Sequence, residues 1–279
     1  MFFLRFSAED VALLRPLASN GEPLLVAWTT GGKKYTTLAL NLAQSVRANV
    51  GPELEQRFVC IALDQEAQEL MQRHNFHSVL HEVSRSNNLD DAIWKLRWMA
   101  LYTFAHLGIN SLVLDSDRVA LSSPFAKRMR HEDHCNTGCI YVKASKHVEQ
   151  FLLNYLQENN ESMIAGIQRD WFDQKVFGRF VERHVFRMEG DQVHVVYGTG
   201  DQEQVHRNLE AKAGDRVQRP LRIRVLDPVV FAHGMNYFYM RAHLAPGRET
   251  QVATAHANGV NDKNYFLRDR GLWYIDDFD

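Results

Sequence analysis

Three short apolar runs, Leu24 to Trp28, Phe58 to Leu63 and Ser111 to Leu114, each end abruptly at polar residues, and this rhythm constrains the fold most. Between the first two, Tyr35, Leu38, Leu42 and Val46 recur at spacings of 3, 4 and 4, the period of an amphipathic helix. A shorter helix is expected from about Glu66 to Arg73, and a short strand from Ser78 to Val83. Leu89, Ile93, Leu96, Ala100, Phe104 and Leu107 mark a long helix with Asn88 as its cap and Gly108 as its stop. Strands alternating with helices predict βαβ units and a mostly parallel sheet flanked by helices, an α/β fold. Parallel strands with right-handed crossovers bring the turns at Thr29 to Gly31, Asp64 and Asp115 to Asp117 to one sheet edge, where a nucleotide-like ligand would fit.

The second half is less regular. Ile140 to Val142 reads as a strand and His147 to Leu156 as a helix. Asp170 to Val181, with Trp171, Phe172, Phe177 and Phe180, reads as a second helix. Short strands are expected at 184–188, 193–197 and 222–226, an exposed polar excursion from Gly198 to Pro220, and a last helix from near Val260. There is no internal repeat and no low-complexity linker, and the 279 residues fit one large domain or two tightly joined halves.

The third run ends in Asp115-Ser116-Asp117. Two carboxylates this close at the end of a buried strand repel unless a cation lies between them, and a divalent metal is the simplest one. Three readings stand side by side: a surface turn, since Asp and Ser favour turns; a Mg²⁺ or Mn²⁺ site that holds a sugar-nucleotide diphosphate; or the nucleophile motif of a haloacid-dehalogenase-type phosphatase, with Asp115 attacking phosphorus and Asp117 as acid. The phosphatase motif usually lies near the start of its chain and needs a later Lys and paired acidic residues, for which Asp276-Asp277 is the only late candidate after a hydrophobic residue. His256, in Ala255-His256-Ala257-Asn258-Gly259, could complete a carboxylate site and move its preference from Mg²⁺ toward Mn²⁺. Lys263 could neutralise a departing diphosphate. Asp173-Gln174 could put a carboxylate and an amide near a reacting sugar carbon.

Other chemistries find less support. His131, His134, Cys135 and Cys139 suggest zinc, but the cysteines are spaced C-x₃-C and no second ligand pair follows. Gly31-Gly32-Lys33-Lys34 is no Walker loop, and no G-x-S-x-G elbow occurs. Three cysteines imply no disulfide framework. A net charge of -2, with 24% charged residues, gives no reason to expect nucleic acid or an anionic membrane as partner. No signal peptide or run of roughly 20 apolar residues is present, so a soluble chain is expected, cytoplasmic as it stands or lumenal in the Golgi behind an anchor not included here.

Four blocks in order resemble the nucleotide-diphospho-sugar transferase family of GT-A fold that contains plant cell-wall xylosyl- and arabinosyltransferases. Trp94-Lys95 leads through Leu107-Gly108 into Leu112 to Asp117. Asn136-Thr137-Gly138 precedes Tyr141-Val142-Lys143. Asp173-Gln174 and Thr254-Ala255-His256-Ala257-Asn258 follow. The resemblance runs from about Leu24 to Trp273. It implies a GT-A-like (Rossmann-like) sheet with a nucleotide-binding half at about 20–117 and a mixed acceptor half at about 118–273. It also implies Mn²⁺ (or Mg²⁺) on Asp115, Asp117 and His256, and a UDP-sugar donor held by Thr29, Thr30, Asp64, Lys95, Asp115, Ser116, Asn136, Gly138 and Lys263. Asp173 and Gln174 would sit at the anomeric carbon, and a glycan or glycoprotein acceptor would receive the sugar with retention of configuration. An inactive homologue that only binds nucleotide or carbohydrate is the remaining alternative. Arg118 stands where the family carries an apolar residue, and is expected to change how the turn meets the sugar.

Overall fold

The computed structural model describes residues 4, 6–18, 21–29, 33–82, 89–123, 138–164, 176–177, 180, 186–189, 192–195, 231–232, 234–239, 241, 244, 252–258, 260 and 262–275. The first apolar run is strand β1 (Leu24–Thr29), the second β2 (Phe58–Ala62) and the third β4 (Ser111–Leu114). Every residue of all three is buried. Continuous burial is the mark of strands covered on both faces. With β3 (His77–Leu80) and β6 (Cys139–Val142) they form one sheet ordered β3-β2-β1-β4-β6. The β1–β2, β1–β4 and β2–β3 pairs are parallel, and β6 is antiparallel to β4. The expected mostly parallel α/β sheet is therefore present, and the ends of β1, β2 and β4 share one edge.

Side chains alternate across the strands, so the two faces build two cores. Leu24, Val26 and Trp28 of β1, Val59 and Ile61 of β2, and Val113 of β4 lie on one face. They pack beneath α1 (Ala8–Leu17), α5 (Leu89–His106) and α6 (Lys146–Ile164). Leu25, Ala27, Phe58, Cys60, Leu112 and Leu114 lie on the other, under α2 (Lys33–Asn49), α3 (Pro52–Glu55) and α4 (Gln65–Arg73). Trp98 of α5 stacks within 4.6 Å of Tyr155 on α6 and 4.3 Å of Phe177, which locks α5 in register over the sheet.

A second sheet follows at once. Strand β5 (Arg118–Ala120) begins directly after Asp117 and pairs antiparallel with β10 (Thr254–His256), which in turn pairs parallel with β9 (Phe231–Ala232). Strands β7 (Phe186–Glu189) and β8 (Gln192–Val195) pair antiparallel as a separate two-stranded sheet. Among the described residues a π-helical turn spans Met235–Tyr239, and α7 (Lys263–Asp269) is the last helix.

Several boundaries differ from expectation. β3 ends at Leu80 rather than Val83, and α6 runs on to Ile164 rather than stopping near Leu156. The last helix starts at Lys263, not near Val260, because Asp262 caps it by accepting from the Tyr265 amide. Helix α1 and strands β5, β9 and β10 had no counterpart in the sequence reading. Of the helix expected at 170–181, only 176–177 and 180 are described, and these are helical. The strand expected at 222–226 and the excursion at 198–220 lie outside the described residues.

Candidate metal centre

Asp115 and Asp117 stand on the turn between β4 and β5, where the chain leaves the central sheet for the small one. The turn is pinned from both sides. The Asp115 amide donates to the Gly138 carbonyl at 2.9 Å, and the Arg118 amide returns to the Asp115 carbonyl at 3.1 Å. The Ala257 amide donates to the Asp117 carbonyl at 2.9 Å, which continues the β5–β10 pairing one step past the register of His256 opposite Arg118. That register is what carries a histidine from near the tail to the mid-chain acids.

The side chains meet as the backbone arranges them. His256 Nε2 lies 2.9 Å from Asp117 Oδ1 and 3.4 Å from Asp115 Oδ2. Ligand atoms of all three residues lie within 4.8 Å of one another. The second oxygen of each carboxylate meets a cation: Arg97 Nη2 binds Asp115 Oδ1, and Lys263 Nζ binds Asp117 Oδ2. Arg97 is 1% exposed, and its guanidinium stacks 5.1 Å from the Trp28 ring. His256 is also buried, and among the described residues its Nδ1 has no hydrogen-bond partner. Burial raises the Asp117 carboxyl, but the His256 ring and the Lys263 ammonium outweigh it and hold the group well below the usual carboxylate range.

Two carboxylate oxygens and an imidazole nitrogen converging on one point are the donor set of a hard to borderline divalent cation, with the nitrogen favouring Mn²⁺ over Mg²⁺. The residues present fit such an ion. One feature departs from the usual pattern, in which a ligating histidine donates its other N–H to a carbonyl or carboxylate.

The other expected site residues fare unevenly. Thr29 ends β1, is buried, and accepts the Leu63 amide through its carbonyl at 2.8 Å. Asp64 follows β2 and caps α4, its Oδ1 accepting from the Ala67 amide at 2.9 Å. Ser116 is half-buried on the acidic turn, and Gly138 is buried beside it. Lys95 lies on α5, shortly before Arg97. Thr30, Asn136, Asp173 and Gln174 lie outside the described residues, as do His131, His134, Cys135, Asp276 and Asp277. Cys139 is buried in the core at the start of β6, and burial pushes its thiol up to about 11.

Two arginines behave unlike the sequence reading. Arg118, which the sequence reading set against the sugar contact of the turn, points inward, 1% exposed, with Nε donating to the Gly138 carbonyl at 2.7 Å and a terminal nitrogen to Thr254 Oγ1 at 3.0 Å. It staples β5, β10 and the approach to β6 around the acids. Arg97 was not singled out at all. Its signal was available: it is the one charge in the run Leu96 to Ala105, which is buried almost throughout, and a buried charge demands a partner.

No family model matches the chain, and no curated protein sequence matches it. Among solved structures it is similar to the crystal structure of a glycosyltransferase involved in the glycosylation of the major capsid of PBCV-1, at 12% identity and a TM-score of 0.39. The likeness covers 90% of this chain and 98% of that one. Among the described residues no helix is long and apolar enough to cross a membrane.

Proposed function

We propose that the chain is a metal-dependent glycosyltransferase that moves a sugar from a UDP-sugar to a glycan or glycoprotein acceptor with retention of configuration. The convergence of Asp115, Asp117 and His256 on one point carries this reading. It joins the two ends of the sequence blocks that resemble the nucleotide-diphospho-sugar transferase family. In this reading residues 1–279 form a single GT-A-like domain, with the nucleotide side at about 20–117 and the acceptor side at about 118–273.

The bound cation, Mn²⁺ or Mg²⁺, would supply positive charge to the diphosphate as it departs. The chain's own residues do the rest. Asp115, Asp117 and His256 fix where that charge sits, and Arg97 and Arg118 hold their turn rigid. Lys263, with Lys95, offers hydrogen bonds to phosphate oxygens as negative charge builds on the leaving group. Thr29, Thr30, Asp64 and Ser116 line the nucleotide side, and Asn136 and Gly138 shape the sugar pocket. Asp173 and Gln174 would steady the oxocarbenium-like carbon, or capture it on the face opposite the departing diphosphate so that the acceptor then attacks from the diphosphate's side and configuration is retained.

Calorimetry with UDP in the presence and absence of Mn²⁺ tests the reading. Binding of UDP that strengthens with Mn²⁺, and that Asp117→Ala abolishes while the far-UV spectrum stays native, is expected. Absence of UDP binding under either condition, or phosphate release from an aryl phosphate ester with Mg²⁺, would overturn it.

A further inference from the structure

The two carboxylates are arranged alike: each turns one oxygen to the His256 ring and the other to a cation of the chain. Arg97 and Lys263 thus already balance Asp115 and Asp117. A divalent ion placed among Asp117 Oδ1, Asp115 Oδ2 and His256 Nε2 brings charge into a neighbourhood that holds two positive groups, and those groups repel it. The two cations are not equivalent. Arg97 is buried, stacked on Trp28 and fixed by α5. The Lys263 side chain is 29% exposed on the first turn of α7, and its ammonium rides a flexible four-carbon stem.

We propose that Lys263 is an internal rival of the divalent cation at Asp117, and that a diphosphate, by drawing the ammonium onto its own oxygens, turns this rivalry into cooperation between metal and nucleotide. The inference rests on reading Asp115, Asp117 and His256 as a cation site that faces a diphosphate. Metal alone binds weakly because Lys263 opposes it. Metal with nucleotide binds tightly because the same charge changes sides. Linkage makes the effect reciprocal, so Mn²⁺ and UDP strengthen each other by the same factor, and Lys263 sets much of that factor.

The test follows free Mn²⁺ by electron paramagnetic resonance while the ion is titrated into the protein, first alone and then with saturating UDP. Lys263→Met should bind Mn²⁺ alone roughly tenfold more tightly than the unaltered chain, the scale expected from removing one unit charge a few ångströms from a double charge in a solvated site. With UDP present the order should reverse, and the mutual strengthening of Mn²⁺ and UDP should fall by roughly tenfold or more. Lys263→Arg keeps the charge and should bind Mn²⁺ alone as weakly as the unaltered chain. Lys146→Met, which removes an exposed lysine on α6, should change neither titration. If Lys263→Met does not fold, Lys263→Gln makes the same measurement. Should the charge-free variant bind Mn²⁺ alone no more tightly than the unaltered chain, while that chain binds Mn²⁺ with UDP, the rivalry is refuted and the glycosyltransferase reading stands. An unaltered chain that binds Mn²⁺ neither alone nor with UDP overturns both.

Discussion

Asp117 shows how a buried carboxylate at a candidate metal centre contributes to stability. Its pKa in the folded chain lies well below the ordinary value because His256 and Lys263 outweigh the cost of its burial. In the unfolded chain it returns to about 3.9. A group whose folded pKa is depressed contributes stability that is complete above the unfolded value and disappears as pH falls toward the folded one. Asp117→Asn should therefore be less stable than the unaltered chain at pH 7, with the gap closing as pH drops below about 4. Urea midpoints for the two proteins across pH check this; a gap of constant size would refute it. Gly234 makes a different kind of demand. A Cβ there would lie 1.7 Å from the Asn258 carbonyl oxygen, and the Gly234 amide donates to Asn258 Oδ1 at 2.8 Å. Gly234→Ala must push backbone against backbone, at a cost of about 1–3 kcal/mol or more. The displaced segment carries His256, so the affinity for the divalent cation proposed above should fall with stability, as an Mn²⁺ titration would show. Asn258→Ala removes only a hydrogen bond and should cost about 1 kcal/mol. At this scale the sequence was partly legible. Twin acids after an apolar run identified the turn, whereas the inward course of Arg118 depends on strand pairing that no local pattern announces.

At the scale of elements, legibility followed length. β1 and β2 are long enough to show as apolar runs, α2 and α5 hold enough residues for their helical period to show, and all four stand close to where those patterns place them. β9 and β10 have 2 and 3 residues, too few for alternation to be seen, and they exist because they pair with each other and with β5. Helix α1 carries Pro16 in its last turn, which hides it as a helix, yet Ser7 and Asp10 form a reciprocal cap at its start. Asp64 is a further case of an element claiming a residue expected in the site. As the cap of α4 it satisfies the Ala67 amide, and Asp64→Ala should cost about 1 kcal/mol of stability. Asp64→Asn keeps an acceptor in the same place and should restore it. Since that variant removes only the charge, its UDP affinity, measured by calorimetry, separates a role in donor binding from the capping role. Equal loss of stability in both variants would show that the cap matters less than the charge.

The whole molecule depends on joining residues far apart in the chain. Asn41 on α2 donates to the Leu272 carbonyl at 3.0 Å and accepts the Tyr274 amide at 2.6 Å. Asn49, one helical stretch later, donates to the Ala120 carbonyl and to the Tyr274 hydroxyl, each at 2.9 Å. The segment after α7 is thus clamped to the same helix that covers the central sheet, and β5–β10 pairing ties it to the metal-site turn. Such cross-links make the central sheet and its cover one cooperative structure, so its two buried cysteines should respond together. Cys60 lies inside β2 and Cys139 begins β6, on the far side of β1 and β4 in the sheet order. Burial raises both thiols, Cys139 up to about 11, so at pH 8 each is almost wholly protonated as well as shielded. Iodoacetamide should leave the peptides bearing Cys60 and Cys139 unmodified in the native protein. In a urea series, mass spectrometry should find both modified over one common transition. The competing outcome is informative because, among the described residues, β6 is an edge strand of the central sheet that pairs antiparallel with β4. Were the second half able to open by itself, Cys139 would be alkylated at lower urea than Cys60, and the site would lose Gly138 as the anchor of its acidic turn before the parallel strands come apart.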